Sequence, residues 1–126
     1  MAFDALANQQ FMNLITQRKS GADVATPVWF AQDDNRLYVM TDRTAGKVKR
    51  IRNNPRVQVA PSDSTGTPLG PSQPAVAAVI SDAAEAATAN ALLTKKYGFM
   101  KRMFDLMSLF NGGASRRAYL VITPAQ

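Results

Sequence analysis

Along this chain the apolar positions switch between two periods, and the switches delimit the elements. Phe3, Leu6, Ala7, Gln10 and Phe11 fall on steps of three and four, which predicts a short amphipathic helix over the first ten or so residues, covering one end of a core. From Asn13 the pattern predicts a strand, Leu14-Ile15-Thr16-Gln17-Arg18-Lys19, then a Ser20-Gly21 turn and a β-rich run from Val24 to Ala31. Asp33-Asp34-Asn35 reads as a tight turn, because short polar side chains bond their own backbone and tolerate left-handed φ. Leu37 to Thr41 follows as a third antiparallel strand. Two adjacent carboxylates at a hairpin tip point into water, so Asp33 and Asp34 are turn residues, not an acid/base pair.

After Thr41 a short helix is predicted, from about Ala45 to Asn53, with Ala45, Val48 and Ile51 inward and Pro55 ending it. Val57, Val59 and Ala60 resume a strand, and Pro61 to Pro71, rich in Ser, Thr, Pro and Gly, is an exposed connection. Ala75 to Ile80 returns to the sheet. A D-x-x-E capping box at Asp82 and Glu85 opens a helix that Lys95 and Lys96 close near Gly98, basic residues suiting a helix C-terminus. Phe99, Met100, Met103, Phe104, Met107 and Phe110 recur at helical spacing up to Gly112-Gly113; this face belongs to the core, to a subunit interface or to the wall of an adaptable substrate pocket. Arg117 to Thr123 gives the last strand, stopped by Pro124. Six or so strands with few helices predict a mainly β fold, an antiparallel β-barrel with flanking helices.

Composition narrows the chemistry. The 126 residues, 46% hydrophobic and 19% charged, suit one domain spanning 1–126. Cysteine and histidine are both absent, which removes disulfides, thiolate nucleophiles, His-based metal sites and the Ser-His-Asp relay; no metal site is expected. Met1-Ala2-Phe3-Asp4 has no positive n-region, and the longest aliphatic run, Ala75 to Ile80, is too short for a signal core or a membrane span of about 20 residues. The expectation is a soluble, cytoplasmic protein.

Charge points to a ligand. The net charge is +6, and Arg43, Lys47, Lys49, Arg50, Arg52 and Arg56 fall in one stretch that holds no acid. Lys47, Lys49 and Arg50 lie in or beside the first turn of the predicted helix, where the macrodipole already presents partial positive charge and Asp or Glu is usual. Each misplaced charge costs up to about 1 kcal/mol, and a bound phosphate would reverse the sign. Thr41, Thr44 and Gly46 add hydroxyl and backbone donors. No Phe, Tyr or Trp lies between Arg43 and Arg56, so the aromatic interleaving of single-strand nucleic-acid binders is missing and one phosphate or nucleotide fits better.

In order along the chain stand Arg18-Lys19-Ser20-Gly21, Thr26-Pro27-Val28-Trp29-Phe30, Leu37-Tyr38-Val39 through Thr41, Gly46 to Val57, Ala60-Pro61 with Gly66, Pro68 and Gly70, and Lys96-Tyr97-Gly98. Together they resemble the pyridoxamine-phosphate-oxidase-like split β-barrel superfamily, and within it the flavin/deazaflavin, F-420-dependent oxidoreductases of group B. The resemblance implies an FMN-binding-like split barrel, a homodimer with two cofactor grooves at the interface, and hydride transfer between a flavin-like ring and an unsaturated small-molecule substrate.

Carried onto this chain, the resemblance implies that Lys47, Lys49 and Arg50, with Thr41 and Gly46, hold the cofactor phosphate. It likewise implies that Arg18, Lys19, Ser20 and the backbone of Thr26, Pro27, Val28 and Trp29 line the ring, with Pro61 and Ser62 near the same groove. Ser62 stands where family members often carry cysteine, and Pro71-Ser72-Gln73-Pro74 departs from the family pattern. No residue announces itself as a general acid, so catalytic residues stay unassigned. Coenzyme F-420 is the expected cofactor; FMN, or a non-catalytic module binding a cofactor or nucleic acid, are the alternatives.

Overall fold

The computed structural model describes residues 3–98 and 117–125. Seven strands form one antiparallel sheet: β1 (Phe11–Gln17), β2 (Asp23–Val28), β3 (Ala31–Asp33), β4 (Arg36–Asp42), β5 (Arg56–Ser62), β6 (Gln73–Val79) and β7 (Arg117–Pro124), in the order β2-β1-β5-β6-β7-β4-β3. Helix α1 (Gly46–Asn53) joins β4 to β5, and α2 (Ala83–Tyr97) follows β6.

The order of the strands dictates curvature. β2 and β3 are the two edges of the sheet, yet only Trp29 and Phe30 separate them in the chain. The three Cα steps from Val28 to Ala31 span at most about 11 Å, so the sheet has to curl until these two strand ends come close without pairing, which is the split barrel. The Val24–Ala31 run predicted as one strand is therefore two, broken at this corner. Phe30 turns into the core, and its N–H donates to the Tyr97 hydroxyl (2.9 Å) instead of to a neighbouring strand.

Period-two alternation fills the interior. Leu14 lies opposite Val59, Val57 opposite Ala75, Ala77 opposite Ile122, and Val39 opposite Leu120, all buried on the concave face. Ile51 of α1 joins this core. The outer face carries a second cluster, where Leu93 and Tyr97 of α2 pack with Ala31, Trp29, Met40 and Tyr119. The capping box opens α2 as predicted, Asp82 Oδ2 accepting from the Glu85 N–H (3.0 Å), and Gly98 ends it at φ 54°.

The predicted N-terminal helix is corrected to a single 3₁₀ turn, Asp4–Leu6, with Phe3 and Leu6 plugging the barrel. Asn8 adopts φ 63°, which breaks any helix there, and Phe11 is claimed by β1, where it pairs with Ser62. Pro61 and Ser62 likewise belong to β5, not to the connection after it. The Met- and Phe-rich helix expected over 99–110 lies outside the described residues. No helix among the described residues is long and apolar enough to cross a membrane.

Candidate functional site

The site is built where the β1–β2 hairpin meets α1. Arg18 N–H donates to the Ala22 carbonyl (2.8 Å) and Gly21 N–H to the Arg18 carbonyl (2.8 Å), with Gly21 at φ 91°, a conformation side chains resist. That tight turn exposes Arg18, Lys19 and Ser20 at its tip. Facing it, α1 buries Val48 and Ile51 on one side. The opposite side presents Gly46, Lys49, Arg50 and Asn53, spaced i, i+3, i+4 and i+7. Between hairpin and helix runs an open groove of about 700 Å³, lined by these residues with Gln17, Gly21 and Asn54. Four cations converge on it, and no carboxylate among the described residues lines it.

The helix start is as unusual as its charge suggests. Ala45, the N-cap residue, offers no side-chain acceptor to the first-turn amides, and that turn holds no acid. Asp42, one turn earlier, is engaged with Thr44, accepting from its N–H (2.8 Å) and its hydroxyl (2.6 Å). Arg50 is held from below: its Nε–H donates to Oγ1 of Thr16 (2.6 Å), a side chain fully buried on β1. The guanidinium lies across Gly46, where a Cβ would stand 2.8 Å from Nη1. Asn54 Nδ2 donates to Gln17 Oε1 (3.0 Å), tying the end of α1 to the same strand.

The residues expected from sequence do not all come together. Arg18, Lys19, Ser20, Gly46, Lys49 and Arg50 share the groove. Lys47 does not line it; it is half-buried between the groove face and the core face, where burial, and then the neighbouring Arg50, lower its pKa against the pull of Asp42. Thr41 sits on β4 opposite Ala118. Thr26 and Val28 of β2 pair with Leu14 and Met12, and Pro27 with Asn13, towards the far end of β1. Pro61 and Ser62 pair with Met12 and Phe11, about 20 Å along the strand from Gln17. Ser62 is buried and its hydroxyl donates to the Asp63 carbonyl (3.1 Å).

Sequence reading missed Thr16, Gln17, Asn53 and Asn54. For Asn53 the signal was present in its helical phase with Lys49 and Arg50. The others depend on strand register and a turn that only the fold reveals.

At the split, the Trp29 ring stacks on Tyr97 at 4.4 Å and 10°. The Tyr97 hydroxyl accepts from Phe30 N–H and donates to the Gln10 carbonyl (2.7 Å), with the Phe30 carbonyl at 3.0 Å. Burial pushes its pKa up to about 12. Lys96 Nζ lies 3.6 Å from the Phe30 ring centroid and, although the residue is exposed overall, desolvation there lowers its pKa to about 8.

The chain belongs to the pyridoxamine 5′-phosphate oxidase family, whose profile matches residues 2–126. No curated protein matches the chain. Among solved structures it is similar to an F-420 reductase (18% identity, 97% of this chain and 91% of that one covered, TM-score 0.63). It is also similar to a pyridoxamine 5′-phosphate oxidase-related, FMN-binding protein from Nostoc punctiforme (16%, 94% and 72%, TM-score 0.62). The haem storage protein HutZ from Vibrio cholerae is a third (16%, 94% and 84%, TM-score 0.69). At these identities the likeness establishes the shared split barrel, mainly β with flanking helices.

Proposed function

We propose that this protein is a homodimeric oxidoreductase that holds coenzyme F-420 with its phosphate in the α1 groove and reduces an unsaturated small molecule. The observation that carries the reading is the convergence of Arg18, Lys19, Lys49 and Arg50, without a carboxylate, on a helix start that lacks a cap. An oxyanion there offsets repulsion among the cations and complements the macrodipole.

The residues present fit such a group. Gly46, with no Cβ, lets the Arg50 guanidinium lie close against the helix start, on the groove. In the bound state Lys49 and Arg50 hold the phosphate, and Arg18, Lys19 and Ser20, expected from the resemblance to line the ring, face the same groove from the hairpin and are reassigned to the phosphate end. Thr26 to Trp29 flank the ring further along β1, and Pro61 and Ser62 approach from the far end; this spread suits an extended cofactor better than a compact one. The ring supplies the hydride chemistry, so the chain's part is to bind, orient and exclude water. Edge strand β2 pairs only with β1 among the described residues, which leaves its outer edge for a second copy.

FMN is the second reading, favoured by the likeness to the Nostoc FMN-binding protein. A haem-storage role is disfavoured, because the chain has neither His nor Cys and leaves only Met and Tyr as side-chain ligands for haem iron. Titration with F-420 and with FMN, followed by quenching of Trp29, separates the two cofactors. A screen of reduced cofactor against quinones and enones then tests turnover. Tighter binding of F-420 and oxidation of its reduced form support the proposal. Binding without turnover leaves a cofactor carrier, and salt-steep binding of oligonucleotides with no response to either cofactor overturns it.

A further inference from the structure

The concave face of β1 presents Met12, Leu14 and Thr16 in alternation, all fully buried. Threonine at the third of these positions is out of character, since valine has the same shape and no hydroxyl to satisfy. Among the described residues its Oγ1 has one partner: it accepts from Arg50 Nε at 2.6 Å, across 34 residues of sequence. Arg50 is simultaneously accommodated from above, because Gly46 has no Cβ and Nη1 lies in the space that any larger residue would occupy. Among the described residues no other group accepts from this guanidinium, so its Nη donors remain available to the groove it lines.

We propose that Thr16 is a positioning residue for anion recognition: together with Gly46 it fixes the Arg50 guanidinium before a ligand arrives. The inference rests on the groove being the phosphate site. An unrestrained arginine is a long, rotamer-rich side chain that loses its freedom when it binds, and a hydroxyl placed under Nε removes that loss in advance. The fixed fork then recognises a phosphate through two parallel N–H donors, while Lys49, which is exposed, contributes charge without fixed geometry.

The test compares wild type with Thr16→Val, Thr16→Ser, Gly46→Ala and Arg50→Ala, using F-420 and, separately, inorganic phosphate as probes. The Arg50 Nε–H resonance in ¹H–¹⁵N spectra of the ligand-free protein gives a readout independent of activity. Expected are a slowly exchanging Nε–H in wild type, its loss in Thr16→Val, and affinity for F-420 about tenfold weaker in that variant. Thr16→Ser restores both to within about twofold. If Thr16→Val does not fold, Gly46→Ala and Thr16→Ser carry the comparison, since Gly46→Ala displaces the same guanidinium from the other side. Unchanged affinity in a folded Thr16→Val or in Gly46→Ala, with Arg50→Ala weakened, overturns the positioning role and leaves the groove as the phosphate site. Equal affinity of wild type and Arg50→Ala overturns both.

Discussion

Arg50 Nη1 stands where a side chain at Gly46 would have to go, 2.8 Å from the position of its Cβ. Glycine is needed here for close approach rather than for a left-handed backbone, and the neighbour it admits is the far end of a flexible side chain. Gly46→Ala is therefore expected to leave stability within about 1 kcal/mol of wild type, since alanine favours helix and the guanidinium can swing away. Thermal unfolding checks this. A large loss of stability would mean that Arg50 is a structural strut and not a ligand-binding group.

The corner between β2 and β3 depends on one hydroxyl. Tyr97→Phe keeps the stack on Trp29 but leaves the buried Phe30 N–H without its acceptor and the Gln10 carbonyl without its donor. A destabilisation of about 1–3 kcal/mol is expected, seen as a melting temperature several degrees lower. An unchanged melting temperature would show that other groups satisfy this corner.

Two groups at that corner give opposite alkaline signatures. Lys96 titrates at about 8 in the folded protein against 10.5 ordinarily, so the unfolded chain binds its proton more tightly. Its cost to stability is present below about pH 8 and fades as pH rises towards 10.5. Tyr97 is raised from 10.0 to about 12, so its contribution is full below pH 10 and is lost as pH rises through 12. NMR of dimethylated lysines checks the first directly; a Lys96 signal titrating with the other lysines would contradict it.

Asp63 organises the connection after β5. Its Oδ1 accepts from the N–H groups of Thr65 and Thr67 (both 2.9 Å) and from the Thr65 hydroxyl (2.7 Å), and these bonds hold its pKa below the usual 3.8. A depressed carboxyl stabilises above its unfolded value and loses that contribution as pH falls through the folded one. Amide exchange at Thr65 and Thr67 is expected to stay slow to below pH 4 and to accelerate in Asp63→Ala. Equal exchange in the variant would show that the loop is held instead by Gly66, whose carbonyl accepts from Asn13 Nδ2 (2.8 Å).

Local chemistry made most elements legible in advance. Alternation identified the strands, Asp82 and Glu85 announced α2, and an acid-free helix start at Gly46 to Arg50 located the basic groove. What stayed hidden was set by long-range geometry. Nothing near Val28 reveals that a tyrosine far along the chain will hold the Phe30 amide and break the strand. Nor does adjacency to Lys49 tell that Lys47 lies off the groove, because helical phase, not sequence proximity, groups Gly46, Lys49, Arg50 and Asn53. Thr16 reads as an ordinary strand residue until β1 is seen beneath α1.

An anionic headgroup seated between α1 and the β1–β2 hairpin is the centre of the proposed function. Calorimetric titration of F-420 into wild type, Lys47→Ala and Lys49→Ala measures this most directly. The expected result is a loss of about 1.5–3 kcal/mol for Lys49→Ala, the range for a hydrogen bond to a charged group, and a clearly smaller loss for Lys47→Ala. Binding by Lys49→Ala as tight as wild type would place the phosphate elsewhere and contradict the account.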